Sequence, residues 1–274
     1  MTPLSLEALA ARVHDGALIA LPPDDSLSSG ALIRALVRRG VKHLRLVGVP
    51  TTGYAADLLI GAGCADVIET AAMTLGEAGT GPRFAAAIAA GSIRVLDATC
   101  PAIHTALQAA EKGVPFMPLR GVLGSDVLGH RPDWHVIANP FSSDDDPILL
   151  LPAITPDVAI FHASCADEEG NVWVGRRREL ATMAHAARAS LVTVERIVKG
   201  RLLDDERLAP GVISGVYVEA IAVAERGAWP SGLLDEYDSD RAHIAAYAKA
   251  ARTEAGFAEY LAQFVTAQPE RTAA

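Results

Sequence analysis

The chain has 274 residues, half of them hydrophobic, and a formal charge of -9. That length supplies core for one large or two modest domains, while an acidic balance with no basic run beyond Arg176-Arg177-Arg178 excludes a nucleic-acid groove, which needs clustered cations. The apolar runs are too short for a membrane span, and three cysteines (Cys64, Cys100, Cys165) without CxxC spacing exclude a disulfide framework and a zinc knuckle, so a cytoplasmic protein is expected.

The opening MTPLSLEALAARVHDG carries Glu7 and Asp15 and no signal-peptide core. Leu6, Leu9, Ala10 and Val13 fall at helical spacing behind Ser5 as N-cap. Ala17 to Leu21 is a first strand, broken by Pro22-Pro23, and a polar loop from Asp24 to Ser29 leads into a helix from Gly30 to Arg39 closed by Gly40. His43 to Val49 is the second strand, Tyr54 to Gly61 a helix, and Ala65 to Thr70 the third strand. After the loop Leu75 to Gly81, Pro82 opens a helix to Ala90, where its missing N–H is harmless. Ile93 to Leu96 is the fourth strand. Pro101 opens another helix, Gly113 closes it, and Val114 to Pro118 is a further strand.

From His130 to Pro156 the pattern loosens, with a turn-rich excursion from Asn139 to Pro147. Val158 to His162 then reads as a buried strand that turns after Ala163 into an acidic loop ending at Gly170-Asn171. A helix near Glu179 to Ala189, a strand from Ser190 to Val194, a strand-like segment from Val212 to Val223 and a closing helix from Asp240 to about Val265 complete the chain. This alternation predicts an α/β fold: a mostly parallel sheet with helices on both faces, in a single domain over residues 1–267, with a disordered tail over 268–274. Ligands of such sheets sit at the carboxyl ends of the strands.

Ordered blocks along the chain carry a resemblance. They are Asp15-Gly16 with Ile19-Ala20-Leu21; Gly79 to Phe84; Gly113-Val114-Pro115-Phe116; His162-Ala163, Ala166-Asp167 and Gly170-Asn171; Val194 to Val198; Gly227-Ala228-Trp229-Pro230; and Tyr237-Asp238-Ser239-Asp240. Together they resemble an α subunit of the family I CoA transferases, of the glutaconate CoA-transferase kind. The resemblance implies the CoA-transferase-like fold, and transfer of CoA from an acyl-CoA to a carboxylic acid. CoA is then a substrate moiety, with no permanently bound cofactor and no metal. The family's nucleophile is a glutamate in a Ser-Glu-Asn-Gly-like context that passes through a mixed anhydride to a glutamyl-CoA thioester. No such segment exists here. The implied partner is a separate β subunit that carries it, in a hetero-oligomer such as a heterotetramer, without which this chain is inactive.

The chain also departs from the family's pattern. Pro22-Pro23-Asp24 stands where the family has a Gly-Gly-Phe turn, and proline removes N–H groups that such a turn could offer to CoA.

Several residues are candidates for the site. Asp97, at the end of the fourth strand, is either an acid/base carboxylate or a residue held by the following helix dipole. Gly79, Thr80 and Gly81 could present N–H groups to a phosphate or carboxylate. Arg120 and Ser125 could bind an acyl carboxylate, or be surface residues. His162, at a strand end beside the site, is either an acid/base group or a satisfied core histidine. Asp167, Gly170 and Asn171 read as a loop locked by hydrogen bonds from the Asp167 carboxylate. Asp167, Glu168 and Glu169 diverge on a turn without a ligating His, which argues against a metal. Two other readings stay open: a transferase-like hydrolase acting on a ring-containing acyl-CoA, with Asp97 as general base, and a sugar-phosphate-binding or regulatory subunit.

Overall fold

The computed structural model describes residues 1–267, and the tail expected to be disordered lies outside the described residues. The first half alternates as expected: α1 (Leu6–Ala10), β1 (Leu18–Leu21), α2 (Gly30–Arg39), β2 (Leu44–Gly48), α3 (Tyr54–Gly61), β3 (Ala65–Thr70), α4 (Pro82–Ala89), β4 (Arg94–Asp97) and α5 (Cys100–Glu111). Local chemistry sets these ends. Ser5, Ser29 and Thr99 each accept an N–H of the first turn of their helix, and Gly40 ends α2 at φ +72°, a conformation costly to any residue with a Cβ.

β5 (Phe116–Leu119), β6 (His135–Ala138) and β7 (Pro147–Pro152) follow. They leave the main sheet and form a separate antiparallel one in the order β5-β7-β6. The predicted strand at Val114 to Pro118 therefore does not extend the parallel sheet, and the excursion from Asn139 to Pro147 is the tip of a hairpin. A small sheet pairs strands in sequence neighbourhood, so its members need no long apolar run.

β8 (Val158–Asp167) returns to the main sheet, followed by β9 (Val172–Trp173), α6 (Arg178–Ala186), β10 (Ala189–Val198), β11 (Val212–Ile213), β12 (Ala220–Val223), α7 (Arg241–Ala250) and α8 (Glu254–Leu261). β8 is longer than predicted. Ala163 to Asp167 continue the strand because β10 pairs alongside them, through Asp167 opposite Val198. Small residues with weak strand preference are held there by the neighbouring strand. The single closing helix is in fact two: Thr253 caps α8 by accepting the Gly256 N–H at 3.1 Å, and a side chain at Gly256 would collide with the Ala250 carbonyl.

The parallel strands run β12-β10-β8-β1-β2-β3-β4, with β9 and β11 added antiparallel beyond β8. Side chains alternate across the sheet. Ile19, Leu21, Val158 and Ile160 pack with α1–α3, α7 and α8 on one face, while Ala20, Ala159, Phe161 and Ala163 pack with α5 and α6 on the other. Each fully buried Leu or Ile contributes about 1.5–3 kcal/mol. The chain winds outward from β1 to β4, then crosses back to β8 on the other side of β1. That reversal opens a crevice beyond the carboxyl end of β1, the place where open α/β sheets bind ligands. Among the described residues no helix is long and apolar enough to cross a membrane.

Candidate active-site cleft

A cleft of about 720 Å³ lies at this crevice. Its walls come from the segments after four strands: Pro23, Asp24 and Asp25 after β1, Thr51 and Thr52 after β2, Thr74 to Ala78 after β3, and Ser231 to Ser239 after β12, with Arg177 and Arg241 at the sides. A smaller concavity of about 430 Å³ adjoins it at Pro23, lined by His104, Gln108, Arg178 and Glu179.

Asp24 is one of four carboxyl residues that line the cleft, with Asp25, Glu77 and Asp238. Its Oδ2 accepts the Tyr54 N–H at 2.7 Å, so it caps α3 from another strand. Gly53 makes this approach possible, since a Cβ there would overlap Asp24 Oδ2 and the Thr74 carbonyl. Asp24 Oδ1 is buried and has no hydrogen-bond partner among the described residues, and Thr52 Oγ1 is in the same condition. Burial raises the Asp24 pKa to about 6, with the charges of Asp25 and Asp57 adding to it, against the Tyr54 and Ala55 N–H groups that lower it.

Behind the cleft wall, Tyr237 reaches into a buried polar chain. Its hydroxyl donates to Glu195 Oε1 at 2.9 Å and accepts the Ala228 N–H at 3.0 Å. Glu195 also accepts from the Arg226 N–H at 2.8 Å and the Gly227 N–H at 3.2 Å, and pairs with His162 Nε2 at 2.8 Å. His162 Nδ1 meets Thr193 Oγ1 at 2.8 Å, and Thr193 meets Ser29 Oγ at 2.6 Å. Burial alone would raise the Glu195 pKa, but the hydrogen bonds from His162, the Arg226 N–H and Tyr237 outweigh it and hold the group down to about 2. His162 is fully buried and both ring nitrogens are satisfied, so it is a core histidine behind the wall.

The other predicted residues are scattered. Asp97 ends the edge strand β4 opposite Thr70, exposed and not among the lining of the cleft. Its carbonyl accepts from Arg131 Nη1 at 2.9 Å. The loop before α4 lines the cleft only as far as Ala78. Thr80 and Gly81 are exposed and Gly79 is outside the lining, while a Cβ at Gly81 would overlap the Asp57 carboxylate. Asp57 accepts the Arg83 and Phe84 N–H groups at 3.4 and 2.7 Å. The start of α4 thus has an internal anion on the Arg83 and Phe84 N–H groups, while the Gly79 N–H donates to the Gly76 carbonyl at 3.1 Å.

Arg120 and Ser125 also stand apart from the cleft. Arg120 makes a two-pronged pair with Asp146 on the small sheet, and Ser125 Oγ donates to the Val122 carbonyl at 2.8 Å. Asp167 is buried and accepts the Glu169 and Asn171 N–H groups, the Asn171 amide and the Leu202 N–H, with Gly170 at φ +93° completing the turn. Sequence reasoning assigned no role to Thr52 or Arg131. It held Asp24, Glu195 and Tyr237 only as members of longer segments.

A family model described as "Coenzyme A transferase" matches residues 4–224. The chain belongs to the coenzyme A transferase family. It is 29% identical to the A-type subunit of 3-oxoadipate CoA-transferase from Pseudomonas knackmussii, over 94% of this chain and 91% of that protein. A protein of Archaeoglobus fulgidus is 33% identical over 85% of this chain, which spans about half of that relative, 52% of its length. The crystal structure of glutaconate coenzyme A-transferase from Acidaminococcus fermentans superposes with a TM-score of 0.87 at 26% identity, covering 97% of this chain and 89% of that one. In this transferase-family chain, the mostly parallel sheet with helices on both faces is the fold of that enzyme.

Proposed function

We propose that this chain is the α subunit of a heteromeric CoA transferase that moves CoA between an acyl-CoA and a carboxylic acid, with the nucleophilic glutamate supplied by a separate β subunit. The observation that carries the reading is its similarity, nearly end to end, to one subunit of a CoA-transferase, in a chain without a Ser-Glu-Asn-Gly-like segment. The carboxyl-edge cleft then holds the acyl group against the partner. The glutamate attacks the thioester carbonyl and expels CoA thiolate. The thiolate opens the resulting anhydride and releases the first acid, leaving a glutamyl-CoA thioester for the second acid to attack. Positioning of the acyl group is the contribution of this chain. Asp97, exposed at the carboxyl end of β4, meets substrate at the subunit boundary. Three free thiols, Cys64, Cys100 and Cys165, suit a reducing cytoplasm.

Native mass spectrometry of the tagged chain purified from its own host tests the assembly. A co-purifying chain with a Ser-Glu-Asn-Gly-like segment is expected, and acyl-CoA panels on the complex then distinguish transfer from hydrolysis. A clean homo-oligomer would overturn the split-subunit reading.

A further inference from the structure

The lining of the cleft joins two kinds of chemistry. Part of it is apolar: Leu75 and Ala78 from the loop after β3, Ile244 and Ala245 from α7, and Leu234 from the segment after β12. Leu75 is buried and Ile244 packs onto the main core, but Leu234 stands 58% exposed. A large aliphatic side chain left in water inside a cleft is apolar area that a ligand can cover.

The rest is charged, and mostly negative. Asp24 and Asp25 after β1, Glu77 after β3 and Asp238 after β12 are accompanied in the lining by two cations, Arg177 and Arg241. Arg241 lies 3.8 Å from Glu77, and Arg177 donates to the Asp25 carbonyl at 2.7 Å. Four carboxyl groups against two guanidinium groups leave an excess of two negative charges, since Asp24, with a pKa of about 6, is still mostly ionised at pH 7. The residues expected to hold an acyl carboxylate do not alter this balance. Arg120 is committed to Asp146 and Ser125 to the Val122 carbonyl, and neither lines the cleft.

We propose that the cleft selects an uncharged acyl group with an aliphatic body and rejects one that ends in a second carboxylate, so that the substrate class is the CoA thioester of a monocarboxylic acid. The inference rests on the transferase-subunit reading, which puts the acyl group in this cleft. Two acyl groups of equal length that differ only at the far end share the same CoA and the same thioester, whose contributions cancel. A terminal methyl gains by covering Leu234 and its apolar neighbours. A terminal carboxylate gives up its hydration, meets an excess of like charge and finds both arginines already engaged. Specificity is a difference of affinities, and here attraction for one end and repulsion of the other act together. Closure by the partner subunit excludes water and lowers the screening of these charges.

Unreactive ligands test this, because a thioether can neither acylate a glutamate nor be hydrolysed. The probes are S-pentyl-CoA and its analogue with a carboxylate in place of the terminal methyl. The complex purified from its own host is titrated calorimetrically with each at pH 7. S-pentyl-CoA is expected to bind about tenfold more tightly. Equal affinities, or tighter binding of the carboxylate analogue, overturn the substrate class and leave the transferase-subunit reading standing. If neither thioether binds, that reading fails and the substrate class falls with it.

Variants assign the cause to these residues. Leu234, Glu77 and Asp238 are all exposed, so replacing them leaves the core intact. Leu234→Ser is expected to weaken S-pentyl-CoA about fivefold and to leave the carboxylate analogue unchanged. Glu77→Gln combined with Asp238→Asn removes the excess charge and releases Arg241. That double variant is expected to tighten the carboxylate analogue until the preference falls below about threefold. A preference that survives both changes undiminished overturns the role given to this wall.

Discussion

Glu195 shows how one residue can matter to the cleft without lining it. It collects four hydrogen bonds from His162, Tyr237 and two backbone N–H groups, and so ties β8 and β10 to the segment that forms one cleft wall. Glu195→Gln turns an acceptor into a donor facing N–H groups and is expected to destabilise the fold by about 2 kcal/mol, measured by urea unfolding at pH 7. Its pKa in the fold, about 2, lies below the ordinary 4.5. The contribution is therefore complete above about pH 5 and is lost as pH falls towards 2. The gap between wild type and variant should shrink by about 1–2 kcal/mol over that range, allowing for solvent screening. Asp97 calls for a different readout. Asp97→Ala is expected to lower turnover of the assembled complex while native mass spectrometry shows unchanged assembly, and unchanged turnover would retire the catalytic role.

Between elements, Arg131 is the main polar tie. It runs from the loop before β6 to the end of the main sheet, pairing with Glu69 on β3 at 2.8 Å and with Asp133 at 2.8 Å. It also donates to the Asp97 carbonyl and stacks over Trp134, 4.1 Å from the ring centre. The Arg131 side chain is 2% exposed and that of Glu69 13%, so removing the cation strands a buried carboxylate, whose pKa is already raised by burial. Arg131→Met is expected to cost about 3 kcal/mol and to speed proteolysis within the small sheet relative to the rest of the chain. Asp57 does comparable work on the opposite face, joining α3, the start of α4 and α7 through the Tyr247 hydroxyl at 2.7 Å. Such ties use residues far apart in sequence, so neither the arginine nor the aspartate carries a local signal of its role.

At the scale of the molecule, the cleft is open at the carboxyl edge and built from loops after β1, β2, β3 and β12. Under the proposed assignment, an acyl group in that cleft meets the partner subunit on its open side. The expected behaviour follows from that geometry: this chain alone gives no CoA exchange between an acyl-CoA and a carboxylate, and mixing it with the separately purified partner restores exchange. Full activity of this chain by itself, in a steady-state assay with both substrates, would contradict the split site.

Periodicity and caps make the first half of the fold legible from local signals: Gly30 to Arg39, Tyr54 to Gly61 and Ala65 to Thr70 form the elements their spacing implies. The ordered blocks make the family legible. The locked Asp167 loop is readable too, since an Asp-x-x-Gly-Asn turn closes on its own backbone. What the sequence could not reveal depends on partners distant along the chain. β8 runs on to Asp167 only because β10 lies beside it. N–H groups at the start of α4 are spent on Asp57, 26 residues before Arg83 in the chain. Asp24 becomes a buried, half-unpaired carboxyl only because the start of α3 and the Thr52 segment close around it. Local signals determined the elements and the family; long-range packing and desolvation alone decided which carboxyls face the cleft and how strongly each holds its proton.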